Sequence, residues 1–307
     1  MDIPVKFSRF GRVAVVAAVA AVALTSCAAN EGGATATSAA ASDLKGSLAG
    51  SGASSQGSAQ EAWVAAFQTS NPDVTINYSP DGSGAGRKAF IAGGVQFAGS
   101  DSALSDEELT STFAACAADT KAIDLPVYIS PIAVIFNVEG VDELNLDAAT
   151  IAKIFAGQIT SWDDPAIVAL NPEAKLPSTP ITAVHRSDDS GTTKNFADYL
   201  NKNAPDVWTA EPADTFPFQS GEGAKGTSGV VDTVKGGTGT IGYADASKAG
   251  DLGVAKIKVG EEFVEYSAEG AAAVVRARRS SKAARRTTSR SSSTARPRTR
   301  PTTRSCS

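Results

Sequence analysis

Side chains that bind transition metals are scarce in this sequence. One histidine, His185, and three cysteines, Cys27, Cys116 and Cys306, occur among 307 residues. No two cysteines have the spacing of a zinc site. We therefore predict no metal centre and no cofactor, and Cys116 has no convincing disulfide partner in the sequence.

Motifs of nucleotide and ester chemistry are also missing. The glycines at positions 82, 84 and 86 lack the dinucleotide-binding spacing, and residues 221–227 carry a lysine in the wrong position for a nucleotide-binding P-loop. No Gly-x-Ser-x-Gly nucleophile elbow occurs. The sequence shows no internal repeat, and no second membrane segment follows the apolar run near its N-terminus.

The N-terminal segment has the pattern of a lipoprotein signal peptide. Basic residues precede an apolar run at 13–24, which is too short for a comfortable membrane span. The run ends in Leu-Thr-Ser-Cys27, which resembles the lipobox of bacterial lipoproteins. We predict a signal peptide at 1–26, lipidation of Cys27 and a flexible tether at 27–43. The alternative is an ordinary export signal with an incidental cysteine.

Residues 271–307 form a basic, low-complexity tail. They hold eleven of the 28 basic residues and none of the 33 acidic residues, so residues 1–270 carry a net charge of −16. Three interpretations remain open: a segment that binds polyanions, a disordered extension, and an out-of-frame translation of a G+C-rich gene. We favour the last, because the change is abrupt and falls inside a predicted helix at 268–275, and because an exported protein meets no nucleic acid.

Between the two ends, strand patterns alternate with helix patterns. Strands are predicted at 44–50, 74–79, 95–98, 123–137, 181–185 and 241–243. Helices are predicted at 59–69, 84–92, 104–113, 148–156, 192–200 and 229–235. This alternation predicts an α/β fold with largely parallel sheets.

Some polar and aromatic residues receive structural interpretations from the sequence. Ser105 is predicted to cap the helix at 104–113. His185 and the three tryptophans, Trp63, Trp162 and Trp208, are interpreted as structural or packing residues. Arg87 and Lys88 are predicted to lie on a solvated helix face.

Three turns rich in Gly, Ser and Thr each follow a predicted strand and precede a predicted helix, at 50–55, 81–86 and 186–193. The first turn of a helix presents unpaired N–H groups and the positive end of the helix dipole. Small residues let a ligand approach these groups closely, and hydroxyls add donors. The loops of an open α/β sheet gather at the carboxyl ends of its strands, so the three turns predict one anion site.

At these turns the chain resembles the phosphate-binding subunit of the bacterial phosphate ABC transporter. The resemblance runs from about residue 48 to residue 269. Its specific parts are the Arg-x-Asp-x-Ser-Gly-Thr segment at 186–192 and the Ser-Asp pair at 100–101. It also includes the motifs at 49–55, 82–86, 154–159, 162–165 and 239–243.

The resemblance implies a periplasmic-binding-protein-like fold of type II, in which two α/β lobes joined by a hinge close over a ligand cleft. It places lobe one at 44–126 plus 242–270 and lobe two at 127–241. Relatives continue beyond residue 270 with elements that complete lobe one. We therefore expect this form to be less stable than they are.

The family's ligand contacts fall on eight residues of this chain: Ser54, Ser55, Ser83, Asp101, Arg186, Ser190, Gly191 and Thr192. In this interpretation Arg186 supplies a planar charged donor pair, and Asp188 pairs with it and holds its orientation. Hydroxyl and main-chain N–H groups supply the remaining donors. Relatives often carry an aromatic residue in place of Ser55, but that contact is made by the main-chain N–H.

Asp101 would decide between oxyanions. A carboxylate beside a bound anion is repulsive unless the anion carries a proton to donate. Phosphate near neutral pH has an O–H group and sulfate has none, so sulfate would leave a buried acceptor unpaired. From the residues alone, Asp101 is equally well interpreted as a helix-capping residue, and the resemblance favours the ligand role.

The resemblance thus implies an extracytoplasmic solute-binding protein that captures inorganic phosphate and hands it to the membrane permease of an ABC importer. We expect a monomer without enzymatic activity, held at the membrane by its lipid anchor and bound to no nucleic acid. The alternatives are a binding protein for another oxyanion and a phosphate-ester hydrolase. Ser190 near His185 and Asp188 invites the hydrolase interpretation, but these residues lie too close along one strand and turn to form a triad.

Overall fold

The computed structural model describes residues 43–118, 120–127, 129–274 and 276. The predicted signal peptide, Cys27, most of the predicted tether and the tail from 277 onward, with Cys306, lie outside these residues. Within the described part of the chain, no helix is long and apolar enough to cross a membrane.

The first lobe is built on a three-stranded parallel sheet with the strand order β2-β1-β3. Its strands are β1 (Gly46–Gly52), β2 (Val74–Ser79) and β3 (Phe97–Gly99). Its helices are α1 (Gly57–Ser70), α2 (Ser83–Ile91) and α3 (Asp106–Thr110). Because α1 and α2 each connect two parallel strands, the turns that open them lie at the same edge of the sheet.

Helix α2 packs directly on β1, and a glycine makes this approach possible. A Cβ atom at Gly86 would lie 2.4 Å from the Cα of Gly52, so no larger residue fits there. This close packing fixes the N-terminus of α2, and with it Ser83, beside the end of β1.

The second lobe is built on a mixed five-stranded sheet with the strand order β7-β6-β8-β4-β9. Its strands are β4 (Ile132–Asn137), β6 (Thr182–Arg186), β7 (Glu222–Ala224), β8 (Thr240–Asp245) and β9 (Gly253–Val254). Strand β6 is parallel to β7 and β8, whereas β4 is antiparallel to β8 and β9. The expectation of largely parallel sheets therefore holds for the first sheet only.

A small third sheet and four helices complete the described fold. The sheet joins β5 (Asn145–Leu146), β10 (Lys256–Val259) and β11 (Glu262–Val264). The helices are α4 (Ala148–Phe155), α5 (Pro165–Leu170), α6 (Gly191–Asn203) and α7 (Gly226–Gly236). Residues 268–274 are also helical.

The large apolar clusters of the described chain lie in the second lobe, on both faces of its sheet. Neighbouring residues of a strand point to opposite faces. Phe136 accordingly packs with α4 and α6, and Ile135 packs with α7. Trp162 and Trp208 are fully buried in the first cluster, as expected of packing residues, whereas Trp63 on α1 is 41% exposed.

Strand pairing near the C-terminal end of the described chain differs from the predicted lobe-one range of 242–270. Strands β8 and β9 pair with β4 of the second lobe, and β10 pairs with β5. The physical reason is burial: all six residues of β8 are buried, so this strand needs neighbours on both edges and cover on both faces.

Predictions for three local features have different outcomes. Ser105 caps α3 as predicted and forms a reciprocal capping box with Glu108, although the helix ends at Thr110. The β-prone segment at 123–137 forms a strand only from Ile132 onward. Cys116, for which the sequence offers no convincing partner, is disulfide-bonded.

Replacing Phe155 by alanine should destabilise the protein far more than replacing Phe67. Phe155 is fully buried, and its ring centroid lies 5.0 Å from that of Phe196 and 5.6 Å from that of Tyr243. Phe67 lies on α1, which has no buried residue. We expect Phe155→Ala to lower the free energy of unfolding by about 3–5 kcal/mol and Phe67→Ala by less than about 1 kcal/mol. Urea denaturation measures both, and equal losses would contradict the assignment of Phe155 to the principal apolar core.

Candidate anion-binding site

The three predicted turns meet in the cleft between the lobes. Thr192 of the second lobe donates from Oγ1 to the Asp101 carboxylate of the first lobe at 2.8 Å. Asn195, one turn further along α6, donates from Nδ2 to the main-chain oxygen of Asp101 at 2.9 Å. The cleft is therefore closed in this structure, with Asp101 at its centre.

The first turn forms a short 3-10 helix, Ser54–Gln56, directly after β1. Ser55 donates from Oγ to Asp101 Oδ1 at 2.6 Å. Ser54 lies across from α7, where its Oγ is 3.1 Å from Thr227 Oγ1 and accepts a hydrogen bond from the Thr227 N–H at 3.0 Å. The N–H groups of Ser54 and Ser55 meet no acceptor among the described residues, so both can donate to a ligand.

The second turn places Ser83 at the start of α2, where it is 1% exposed. Its Oγ accepts the N–H of Asp101 at 3.2 Å, which leaves its own hydroxyl proton free to be donated. Gly191 faces it from the other lobe. A Cβ atom at Gly191 would lie 2.7 Å from Ser83 Oγ and 2.9 Å from Asp101 Cβ, so the cleft can close only around a glycine.

The third turn begins with Arg186 at the end of β6, where the side chain is buried. Its Nε and Nη2 donate to the two Asp188 oxygens at 2.7 and 2.5 Å, which is the pairing that the sequence predicts. This pair occupies one edge of the planar guanidinium group. The other edge, which includes Nη1, makes no hydrogen bond to the described residues and remains available to an anion.

Helix α6 supplies the remaining donors of the third turn. Ser190 is its N-cap and accepts the Thr193 N–H at 3.2 Å. The N–H groups of Gly191 and Thr192 have no acceptor in the part of the chain that the structure describes. Unpaired N–H groups at the positive end of a helix dipole attract an anion, so this turn fits the predicted role.

The pKa values of the two carboxylates, Asp101 and Asp188, are shifted in opposite directions. Burial raises the pKa of Asp101 above its usual range, although hydrogen bonds from Ser55 and Thr192 and the charge of Arg186 lower it. Burial also acts to raise the pKa of Asp188, but the Arg186 hydrogen bond and the Gly226 N–H overcome this and hold that pKa below its usual range. Asp188 is therefore a stabilised counter-ion, and Asp101 is a costly buried charge.

One residue at this cleft differs from its sequence prediction, and three others were not predicted. Arg87 was predicted to be solvated but is 6% exposed and ion-paired, whereas Lys88 is exposed as predicted. Thr227, Asn195 and Tyr243 were missed. The Gly-Thr-Ser opening of α7 after a strand was the one available signal for Thr227, because it repeats the pattern of the other turns.

Tyr243 supports the third turn through its buried hydroxyl group. Its hydroxyl accepts the Arg186 N–H at 3.3 Å and is 2.7 Å from Thr193 Oγ1. It thus ties β6 to the first turn of α6 and fixes the two elements that carry the third turn.

His185 has the structural role that the sequence predicts. Its ring stacks on Phe216 with 3.9 Å between ring centroids, and its Nδ1 is 2.9 Å from the main-chain oxygen of Arg186. Within the described residues, no group of His, Cys, Asp and Glu is arranged to hold a metal ion.

Comparison with known families places this chain among binding proteins. The model of the PBP superfamily domain matches residues 34–291. Phosphate-binding protein PstS 3 of Mycobacterium leprae is 44% identical over 215 residues, which cover 69% of this chain and 58% of that protein. Phosphate-binding protein PstS 3 of Mycobacterium tuberculosis is 40% identical over 252 residues, which cover 80% of this chain and 68% of that protein.

Solved structures show the same fold. A Clostridium perfringens protein solved with bound phosphate has a TM-score of 0.56 and 25% identity, and the match covers 73% of this chain and 79% of that one. The high affinity periplasmic phosphate-binding protein PfluDING, also bound with phosphate, has the same TM-score and identity over 70% of this chain and 62% of that one.

Replacing Asp101 by asparagine should raise the free energy of unfolding at neutral pH when no ligand is present. Asp101 binds its proton more tightly in the folded state, so its contribution to stability is complete below about pH 4 and is lost as the pH rises through the folded-state pKa. The gain in the variant should therefore be near zero at pH 4 and should grow towards pH 7. Urea denaturation at several pH values measures it.

Asp188→Asn is the matched control with the opposite sign. The pKa of Asp188 is lowered, so its stabilisation is present above about pH 4 and is lost on acidification. We expect this variant to lose about 3 kcal/mol or more at pH 7, because it leaves the buried Arg186 charge without its partner. A loss of stability in Asp101→Asn that is equal at every pH would refute the assignment of Asp101 as a costly buried charge.

Proposed function

Because this chain belongs to the PBP superfamily and, within it, to the phosphate-binding proteins of ABC transporters, we propose that it captures inorganic phosphate outside the cytoplasm and delivers it to a membrane importer. The eight predicted ligand residues are proposed to hold the anion. The observation that carries this proposal is the position of Asp101, a carboxylate that accepts hydrogen bonds from both lobes.

The donors around Asp101 suit a tetrahedral oxyanion. Arg186 offers the free edge of its guanidinium group, and Ser83 and Ser190 offer hydroxyl protons. The unpaired N–H groups of the first and third turns point to the same ligand class. Charge-assisted hydrogen bonds of this kind are stronger than those between neutral groups, so the set can replace the hydration shell of the anion.

Asp101 selects a protonated ligand. Each of its oxygens already accepts one hydroxyl, from Ser55 and from Thr192, and each keeps a second lone pair. A phosphate O–H can donate to that lone pair. Sulfate brings only acceptor oxygens, which would face the carboxylate without a proton between them, at a cost of about 1–3 kcal/mol or more. This feature favours phosphate over the alternative of another oxyanion.

Binding without turnover agrees with the arrangement of the third turn. Ser190 Oγ accepts a main-chain N–H, and the His185 ring is stacked on Phe216. Across the described residues His185 makes no hydrogen bond to Ser190, so the pairing that a serine nucleophile requires is not assembled. Two relatives of this chain are named for phosphate binding.

Wild-type protein should bind phosphate about 10- to 100-fold more tightly than sulfate at neutral pH. Asp101→Asn should bring the two dissociation constants to within about threefold, because the amide can donate to a sulfate oxygen. Isothermal titration calorimetry with each anion measures both ratios. Asp198→Asn is the control, since Asp198 pairs with Lys202 on the exposed face of α6. Equal affinity of the wild-type protein for both anions would reject the proposed function.

We also propose that Cys27 is lipidated and holds the protein at the membrane. Cys27→Ser should move the full-length chain, expressed in a bacterium, from the detergent phase to the aqueous phase of a detergent partition, because its acyl anchor is lost. Cys306→Ser should leave the partition unchanged. Retention of the Cys27→Ser chain in the detergent phase would rule out this anchor.

A further inference from the structure

Arg87 is a buried cation in the wall of the cleft that does not belong to the predicted ligand set. It lies on α2, is 6% exposed, and uses four of its five N–H groups on partners from both lobes. An arginine on the surface would be solvated, so the burial and the four hydrogen bonds of Arg87 indicate a specific function.

One half of the guanidinium group holds the loop that carries Asp101. Nη1 donates to Ser100 Oγ at 3.0 Å and to Ser102 Oγ at 3.1 Å, the residues on either side of Asp101. Nε donates to Glu108 at 2.9 Å. These contacts all lie within the first lobe, so they do not require the lobes to meet.

The other half reaches across the cleft. Nη2 forms an ion pair with Asp214 Oδ2 of the second lobe at 2.5 Å. The main-chain oxygen of Asp214 accepts the Ser190 N–H at 2.9 Å, which places the third turn next to this pair. Phe216, two residues further on, is anchored in the aromatic cluster of the second lobe.

This ion pair differs from its neighbour on the same helix. Lys88 also crosses the cleft, to Asp189 at 2.6 Å, but its side chain is 73% exposed, and exposed pairs contribute little. The side chains of Arg87 and Asp214 are 8% and 16% exposed, and Asp214 Oδ1 has no hydrogen-bond partner among the described residues. Opening the cleft would break this pair and return Asp214 to water.

We propose that Arg87 is a positioning residue that couples closure of the lobes to assembly of the anion site. It fixes the Asp101 loop through hydrogen bonds to Ser100 and Ser102. It pairs with Asp214, which is hydrogen-bonded to Ser190, only when the lobes meet. The Arg87–Asp214 ion pair thus stabilises the closed cleft and slows release of the bound anion. This inference rests on the proposed phosphate-binding function.

The test compares Asp214→Asn with the wild-type chain in phosphate binding. The substitution keeps the shape of the side chain and removes its charge. We expect the dissociation constant for phosphate to rise about tenfold, with the increase in the dissociation rate and the association rate within about twofold of wild type. Calorimetry gives the affinity, and stopped-flow measurement gives the rates.

Lys88→Met is the matched control, because it removes the exposed ion pair one residue along α2. It should change the dissociation constant by less than about twofold. If Asp214→Asn lowers the melting temperature but binds and releases phosphate as wild type does, Arg87 is merely structural and the inference fails. If the wild-type chain itself does not bind phosphate, the proposed function fails instead.

Ser102→Ala tests the other half of Arg87 and serves if Asp214→Asn does not fold. It removes one acceptor of Nη1 and leaves both ion pairs of Arg87 in place. The looser Asp101 loop should reduce the preference for phosphate over sulfate by about threefold to tenfold, without a matching loss of thermal stability. An unchanged preference would overturn the positioning role.

Discussion

The arrangement of this site depends on one carboxylate, Asp101, which lies between the two lobes. Asp101 receives one hydroxyl from Ser55 of its own lobe and one from Thr192 of the other lobe. Burial disfavours its charge, so the fold retains a destabilising group at the point where the lobes meet. In the proposed function, a ligand that offers both negative charge for the surrounding donors and a proton for Asp101 would satisfy every group at once, and this combination would make the site selective.

The closed cleft is predominantly a polar contact. Gly84 donates its N–H to the Asp189 oxygen at 3.1 Å, Thr227 meets Ser54, and Arg87 meets Asp214. The hydrogen bonds among these contacts exchange readily with water, because the net gain of each is small, whereas the buried Arg87–Asp214 ion pair costs more to break. We therefore expect such a cleft to open again when no ligand is bound, as the proposed reversible capture of a ligand requires.

The turns and the principal strands could be predicted because their signals are local. Gly and Ser after a strand predicted the turns that carry Ser54, Ser83 and Ser190, and the structure brings all three into one cleft. The burial of Arg87 could not be predicted, because its partner Asp214 lies 127 residues away and helix periodicity carries no information about the opposite lobe. The pairing of β8 with β4 could not be predicted for the same reason: strand pairing across the chain is decided by burial on both faces, which a short apolar run does not reveal.

The two lobes differ in what stabilises them. Among the described residues, the first lobe buries three apolar side chains, Ala53, Val74 and Phe113, while its buried polar residues include Ser55, Ser83 and Arg87. These polar groups are the ones that face the cleft. A bound anion would therefore satisfy donors in the lobe that has the smaller apolar core, and binding to the native state alone stabilises it by mass action. Binding of the proposed ligand would therefore also raise the stability of the first lobe.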